Sequence, residues 1–197
     1  MKKVWLVIIL AYSALTVTAQ PKPAMLTTPA NWRFEQFSLP PEFAPTVKYK
    51  GIEELRFAPG WGQKGAPDYF TLVFGVRFDD TKSVSTADIK DYLLTYFRGL
   101  CSYTAKARKL NSVDTSAISV SMKKKPTPDK TNIYNVSLHM FGVFTDGLPI
   151  TLNMEIKVME DPLHQNVYLL MIASPQAKTN SVWQELYQEQ REFVMPP

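Results

Sequence analysis

The sequence of 197 residues is poor in side chains that carry thiol, disulfide and imidazole chemistry, with one cysteine, Cys101, and two histidines, His139 and His164. A lone cysteine cannot form an intrachain disulfide or a multi-cysteine metal site, and the two histidines do not stand at a metal-ligand spacing. The chain also lacks the Gly-Lys-Ser/Thr sequence of a phosphate-binding loop and the Gly-x-Ser-x-Gly sequence of a serine hydrolase. We therefore expect neither a metal nor another cofactor.

Charge of one sign is also scarce. The formal net charge is +4, and half of that excess is lost if Lys2 and Lys3 are removed with an N-terminal signal. So small a charge does not predict a nucleic acid as partner. Hydrophobic residues make up 45% and charged residues 20% of the chain, which is the composition of a globular domain. No apolar run reaches the roughly 20 residues of a spanning helix, so we do not expect a membrane-spanning protein.

The first 19 residues have the pattern of a secretory signal peptide. Two lysines precede an apolar run over residues 4–11, and Ala19 ends a stretch of small residues that a signal peptidase reads. We expect cleavage near Ala19 and export to the bacterial periplasm or the extracellular space, with an uncleaved N-terminal anchor as the alternative. An exposed thiol is a liability in an oxidising compartment, so we expect Cys101 to be buried.

The rest of the chain changes periodicity along its length. Residues 20–31 are rich in proline and predict an extended leader. Alternating apolar residues over 70–78 predict a strand, whereas spacings of three and four after Ser85, with Asp88 completing a capping box, predict a helix. Strands joined by hairpins follow, and a second helix begins near Ser181. The pattern predicts a single α+β domain over residues 32–197, a curved antiparallel β-sheet with about two α-helices packed on one face.

The register of the predicted first helix also predicts which of its side chains are buried. Its apolar stripe places Phe97 and Leu100 in the core and Arg98 on the opposite side.

In the strands predicted from regular alternation, the polar residues lie on the sheet face opposite the apolar ones. A solvated face is one interpretation, since antiparallel sheets commonly have one. The other is a site for a polar ligand such as a glycan, a peptide or an envelope protein. The residues that we predict for such a site are Arg77, His139, Asn153, Glu155 and Lys157, with Asn135, Ser137 and Phe141 beside them.

These observations favour a non-enzymatic binding or accessory domain of the cell envelope that acts through the polar face. The alternative is a hydrolase-like enzyme that uses carboxylates between residues 51 and 80. Its candidates are Glu53, Arg56 and Asp68, which would then have to share one cavity. Trp61, in a glycine-rich loop, has two interpretations of its own: it stacks on a sugar ring or folds back onto the core.

Two short segments carry a resemblance. The sequence ELRFAPG at residues 54–60 and the sequence YFRGL at residues 96–100 resemble segments of a group of uncharacterised secreted bacterial proteins. The Ser-Pro-Gln sequence at residues 174–176, followed by Trp183 and Leu186, fits the same group. The resemblance implies export and a single domain, and it implies no activity and no catalytic residue. Because its second segment includes Arg98, it also implies that a partner fixes this side chain, and we expect an acidic residue of the preceding strands such as Glu53 or Glu54.

Overall fold

One open antiparallel sheet organises the part of the chain that the computed structural model describes, residues 25–127 and 131–195. Its spatial order is β1-β2-β3-β7-β6-β5-β4. The strands are β1 (Arg33–Leu39), β2 (Gly51–Phe57), β3 (Leu72–Phe78), β4 (Ser119–Lys125), β5 (Asn132–Phe141), β6 (Pro149–Asp161) and β7 (Asn166–Ser174). The helices are α1 (Thr86–Arg108) and α2 (Val182–Glu192). The α+β prediction is confirmed, whereas the predicted signal peptide lies outside the described residues.

Helix α1 links the middle of the sheet to its far edge. The chain leaves at β3 and returns at β4, so the connection has to cross β7, β6 and β5 on one face of the sheet. Ser85 Oγ accepts from the Asp88 amide and Asp88 accepts from the Ser85 amide, which is the predicted capping box. The helix ends at Lys109, whose φ of 58° is left-handed. Its buried stripe is Ile89, Tyr92, Leu93, Tyr96, Phe97, Cys101 and Ala105.

Helix α2 lies on the opposite face, so the expectation that both helices share one face is wrong. Trp183 and Leu186 pack against Val73, Leu170 and Ile172, which alternate along β3 and β7 with the residues that face α1. The physical reason is that β3 and β7 are apolar on both sides. Central strands of this kind need cover on both faces, and one helix layer cannot supply it.

Residues 25–31 of the predicted leader dock on the α2 face. Glu54 accepts hydrogen bonds from the amides of Met25 and Leu26, both at 2.8 Å. Arg56 donates to the carbonyl oxygens of Leu26, at 2.9 Å, and of Trp32, at 3.2 Å. These two buried charged residues of β2 therefore hold an irregular segment against the sheet by satisfying its backbone groups.

Residues 97–101 show where the predicted helix register holds and where it does not. Phe97 and Cys101 are buried and Arg98 is exposed, as predicted. Leu100 is only half-buried, because it borders a cavity that the apolar stripe does not reveal. Arg98 donates to the carbonyl oxygen of Ile118 at 3.3 Å, so the expected pair with Glu53 or Glu54 is wrong.

The single thiol is inert in this setting. Burial raises the pKa of Cys101 to about 11, which keeps it protonated at neutral pH. No helix among residues 25–127 and 131–195 has both the length and the apolar character to cross a membrane.

Adjacent leucines on α1 provide a test of the register. Leu93 is fully buried, whereas Leu94 is only half-buried. We expect Leu93→Ala to lower the free energy of unfolding by about 2–5 kcal/mol and Leu94→Ala by less than about 1.5 kcal/mol. Urea denaturation followed by circular dichroism measures both. Equal losses would contradict the placement of the helix.

Candidate functional site

An apolar cavity of about 250 Å³ opens between α1, strands β1 to β3 and the loops of residues 58–71 and 142–148. We call it the aromatic cavity, because ten of its sixteen lining residues are aromatic. The aromatic residues are Phe37, Phe43, Phe57, Trp61, Phe70, Phe74, Tyr96, Phe97, Tyr103 and Phe144. This composition is that of a small-molecule site, which is apolar and aromatic with few polar groups.

Each wall of the cavity follows from a local rule of structure. Successive residues of a strand point to opposite faces, so Leu55 and Phe57 of β2 both reach the α1 side. Tyr96 and Leu100 lie one turn apart on α1 and form the opposite wall. The segments that carry the resemblance to secreted proteins, residues 54–60 and 96–100, thus face each other across the cavity.

Trp61 closes the cavity from the glycine-rich loop. Its ring lies 4.9 Å from that of Phe57, 5.0 Å from that of Phe70 and 5.1 Å from that of Phe144. Of the two interpretations of this residue, the structure shows the inward one, although its ring forms part of a cavity wall. The indole Nε1 is buried without a hydrogen-bond partner among the described residues. A buried donor of this kind has an energetic cost, and a ligand acceptor would remove it.

The loop that carries Trp61 is held in a strained form. Phe70 has a φ of 52°, a left-handed conformation that is rare for a bulky residue. Its amide donates to the carbonyl oxygen of Trp61 at 3.0 Å, and the Gly60 amide donates to Asp68 at 2.8 Å. Strain at a ligand-facing loop is typical of functional sites.

Glu35 is the only residue with a formal charge among the described residues that line the cavity. It pairs with Arg33, two residues away on β1. The guanidinium of Arg33 lies 4.3 Å from the ring centre of Phe57 and 5.5 Å from that of Trp61. We call the part of the cavity formed by Glu35, Phe57 and Trp61 its mouth, and it combines a carboxylate with ring faces that already hold a cation.

A buried carboxyl lies behind the wall at Tyr96. Glu53 is fully buried, and Tyr96 donates to its Oε1 at 2.8 Å. Glu53 Oε2 and the Tyr92 hydroxyl have no hydrogen-bond partner among the described residues. Burial raises the pKa of Glu53 to about 8, and the Tyr96 bond opposes that rise. Glu53 is therefore mostly a neutral acid at pH 7.

The polar residues predicted for a binding site do share one face, the face that α2 covers. Glu155 is the most affected, because α2 and the segment before it bury the carboxylate. Lys178 Nζ at 2.6 Å, Lys125 Nζ at 2.9 Å and the Tyr187 hydroxyl at 3.1 Å donate to it. Burial alone would raise the pKa of Glu155, but the two ammonium groups outweigh it and lower that pKa. Glu155 thus anchors α2 and is unavailable to a ligand.

The other four predicted residues do not converge. Arg77 pairs with Asp79 at 2.7 Å on β3, whereas His139 bonds Thr151 at 2.7 Å at the far side of the face. Strands β7 and β6 separate them. Asn153 donates to the carbonyl oxygen of Gln176, at 3.1 Å.

Lys157 and Phe141 also belong to the predicted polar face. Lys157 is half-buried on β6. Phe141 is buried in the core on the α1 face, so its placement on the polar face is wrong, because it ends β5 and turns toward α1. A groove of about 400 Å³ lies beside Asn135, Ser137 and Lys178.

The three residues of the hydrolase alternative do not share a cavity. Glu53 faces α1, and Arg56 faces the leader on the other side of the sheet. Asp68 accepts from the Gly60 amide and so stabilises its own loop. Within residues 25–127 and 131–195, no group of three or more His, Cys, Asp or Glu side chains is placed to hold a metal ion.

No family model matches the chain, and comparisons with curated proteins and with solved structures give no significant match. The resemblance at residues 54–60 and 96–100 stays a prediction.

Glu53 gives stability a specific pH dependence. Its pKa is raised in the folded state from 4.5 to about 8, so the stability that the neutral Glu53 carboxyl contributes is fully present below pH 4.5 and is lost as pH rises toward 8. The Glu53→Gln side chain stays neutral at every pH. We therefore expect the free energy of unfolding of this variant to rise relative to that of the wild type by up to about 1.4 kcal/mol for each pH unit in that window. Urea denaturation at several pH values measures the difference.

A second variant identifies the cause. Tyr96→Phe removes the bond that favours the ionised carboxylate, so the loss of stability should extend to a higher pH than in the wild type. Parallel pH profiles of the wild type and Glu53→Gln would contradict the raised pKa.

Proposed function

We propose that this protein is a non-enzymatic binding domain and that its ligand occupies the aromatic cavity. The observation that carries the proposal is an apolar space of about 250 Å³, walled mostly by aromatic rings, that no side chain of the described residues fills. Protein interiors are normally close-packed, because an unfilled space forfeits dispersion contacts. A space retained at such a cost, beside a strained loop, favours a ligand site over a packing defect.

The size and lining of the cavity restrict the ligand. Drug-sized ligands occupy roughly 300–1,000 Å³, so this cavity suits a single ring or a short branched aliphatic group. Ring-on-ring contacts contribute about 0.5–1.5 kcal/mol each beyond the area they bury. The ligand would therefore be a small molecule, or one side chain of a larger partner, with an apolar part that enters the cavity.

The polar groups of the cavity support binding over catalysis. Acid–base or nucleophilic catalysis needs two reactive groups within reach of one reacting atom. The polar groups of the lining residues are the Glu35 carboxylate, the Thr104 hydroxyl, the Trp61 indole Nε1–H and the hydroxyls of Tyr96 and Tyr103. Tyr96 is already committed to Glu53, and Glu35 forms an exposed ion pair with Arg33.

Export remains part of the proposal. It is supported by the signal-peptide pattern of residues 1–19 and agrees with the burial of Cys101. The bacterial envelope is then where the ligand would be met.

A polar partner is a second candidate, and the specific observation is the groove beside Asn135 and Ser137 on the uncovered part of the α2 face. Amide and hydroxyl groups there suit a glycan or a peptide. Ser137→Trp would obstruct this groove and leave the aromatic cavity untouched. It should therefore abolish binding to a glycan array only if the groove is the site.

Indole is a direct probe of the aromatic cavity. We expect isothermal titration to show saturable binding to the wild type. Leu100→Trp places an indole at the half-buried cavity wall and should abolish that binding. Leu163→Trp adds the same group at an exposed position and should leave it intact.

Two outcomes would contradict the proposal. One is the absence of indole binding to the wild type. The other is equal binding to the wild type and to a folded Leu100→Trp variant.

A further inference from the structure

We infer that the ligand of the aromatic cavity is a small hydrophobic cation, such as an alkylated ammonium group, held by Glu35 and by the ring faces at the mouth. This inference rests on the proposed function and adds the charge of the ligand to it. It follows from the charge of the lining, the chemistry of the rings and the position of one guanidinium.

The lining favours a positive ligand. Glu35 carries the formal charge among the described lining residues, and no lysine or arginine is among them. Aromatic faces are electron-rich, so they attract cations and do not attract anions. Glu53, behind Tyr96, is mostly neutral at pH 7 and adds no repulsion. An anionic ligand would meet the Glu35 carboxylate, whose cationic partner Arg33 lies outside the lining.

Arg33 shows that the mouth already holds a cation. Its guanidinium lies over Phe57, at 4.3 Å, and near Trp61, at 5.5 Å, while pairing with Glu35. Those are the three contacts that a ligand ammonium would need: two ring faces and one carboxylate. Arg33 thus occupies from outside the position that the cationic end of a ligand would take from inside.

A ligand cation can replace Arg33 at Glu35 at a small cost in free energy. The Arg33 and Glu35 side chains are 57% and 34% exposed, and ion pairs of that kind contribute only about 0–1 kcal/mol. Arg33 can therefore turn into solvent when a ligand cation replaces it. A cation partly desolvated in the cavity gains more from the rings than an exposed one does.

Choline and its neutral carbon isostere, 3,3-dimethylbutan-1-ol, separate charge from shape. They share size and branching and differ in the charge of the head. We expect titration at low ionic strength to give choline a dissociation constant about tenfold lower than that of the alcohol.

Three variants assign the difference to the mouth. Glu35→Gln should reduce choline binding to the level of the alcohol and leave the alcohol unchanged. Arg33→Ala should strengthen choline binding, because it removes the competing cation. Glu160→Gln, exposed on β6, is the control and should change neither.

Failure of both probes while indole still binds, or choline binding that Glu35→Gln leaves unchanged, would overturn the cation inference. Equal binding of choline and the alcohol, or weaker binding of choline, would overturn the cation inference while leaving the proposed function standing. Failure of both probes to bind, together with failure of indole, would overturn the proposed function itself. Weaker choline binding to Arg33→Ala would overturn the exchange at the mouth.

Discussion

The two-sided apolar character of strands β3 and β7 is the constraint on which the rest of the structure depends. Every residue of β3 except Arg77, and every residue of β7 except Asn166, is buried. A sheet with such a centre must be covered on both faces, since each exposed apolar face would cost on the order of 25 cal/mol per Å². Helix α1 supplies one cover. Helix α2 and the segment of residues 25–32 supply the other, held by Glu54, Arg56 and Glu155.

The aromatic cavity follows from how the α1 face is covered. The helix runs toward β4, and loops rather than a second helix cover the β1 side of that face. Phe43 packs edge-on against Tyr96 at 4.9 Å, and Tyr49 stacks on Phe78 at 3.9 Å. Gly99 lets the Phe43 backbone approach, because a Cβ there would lie 2.3 Å from the Phe43 carbonyl oxygen. Loops built from large rings meet the helix at a few points and leave space between them, and Trp61 and Glu35 both line that space.

Periodicity predicts what depends on neighbours in sequence, and it misses what depends on neighbours in space. The capping box at Ser85, the antiparallel strands and the burial of Cys101 follow from local pattern and are confirmed. The side of the sheet on which α2 docks cannot be predicted from local pattern, because the apolar stripe of an amphipathic helix fits either face of a sheet that is apolar on both sides. The cavity also cannot be predicted from periodicity, since Leu55, Trp61 and Leu100, which line it, lie in separate parts of the chain. The signal that would point to it is the abundance of aromatic residues, 12% of the chain, together with the large rings of Trp61, Tyr69 and Phe70 in one irregular segment.

Xenon tests the central claim, an open apolar space under Trp61, most directly. Xenon enters apolar cavities that stay free of water and is located by its anomalous scattering. In a crystal of this protein pressurised with xenon, the structure predicts a peak among Trp61, Phe70 and Leu152 and no such peak in Leu100→Trp. Side chains closed over that position in the wild type, with no xenon bound, would contradict it.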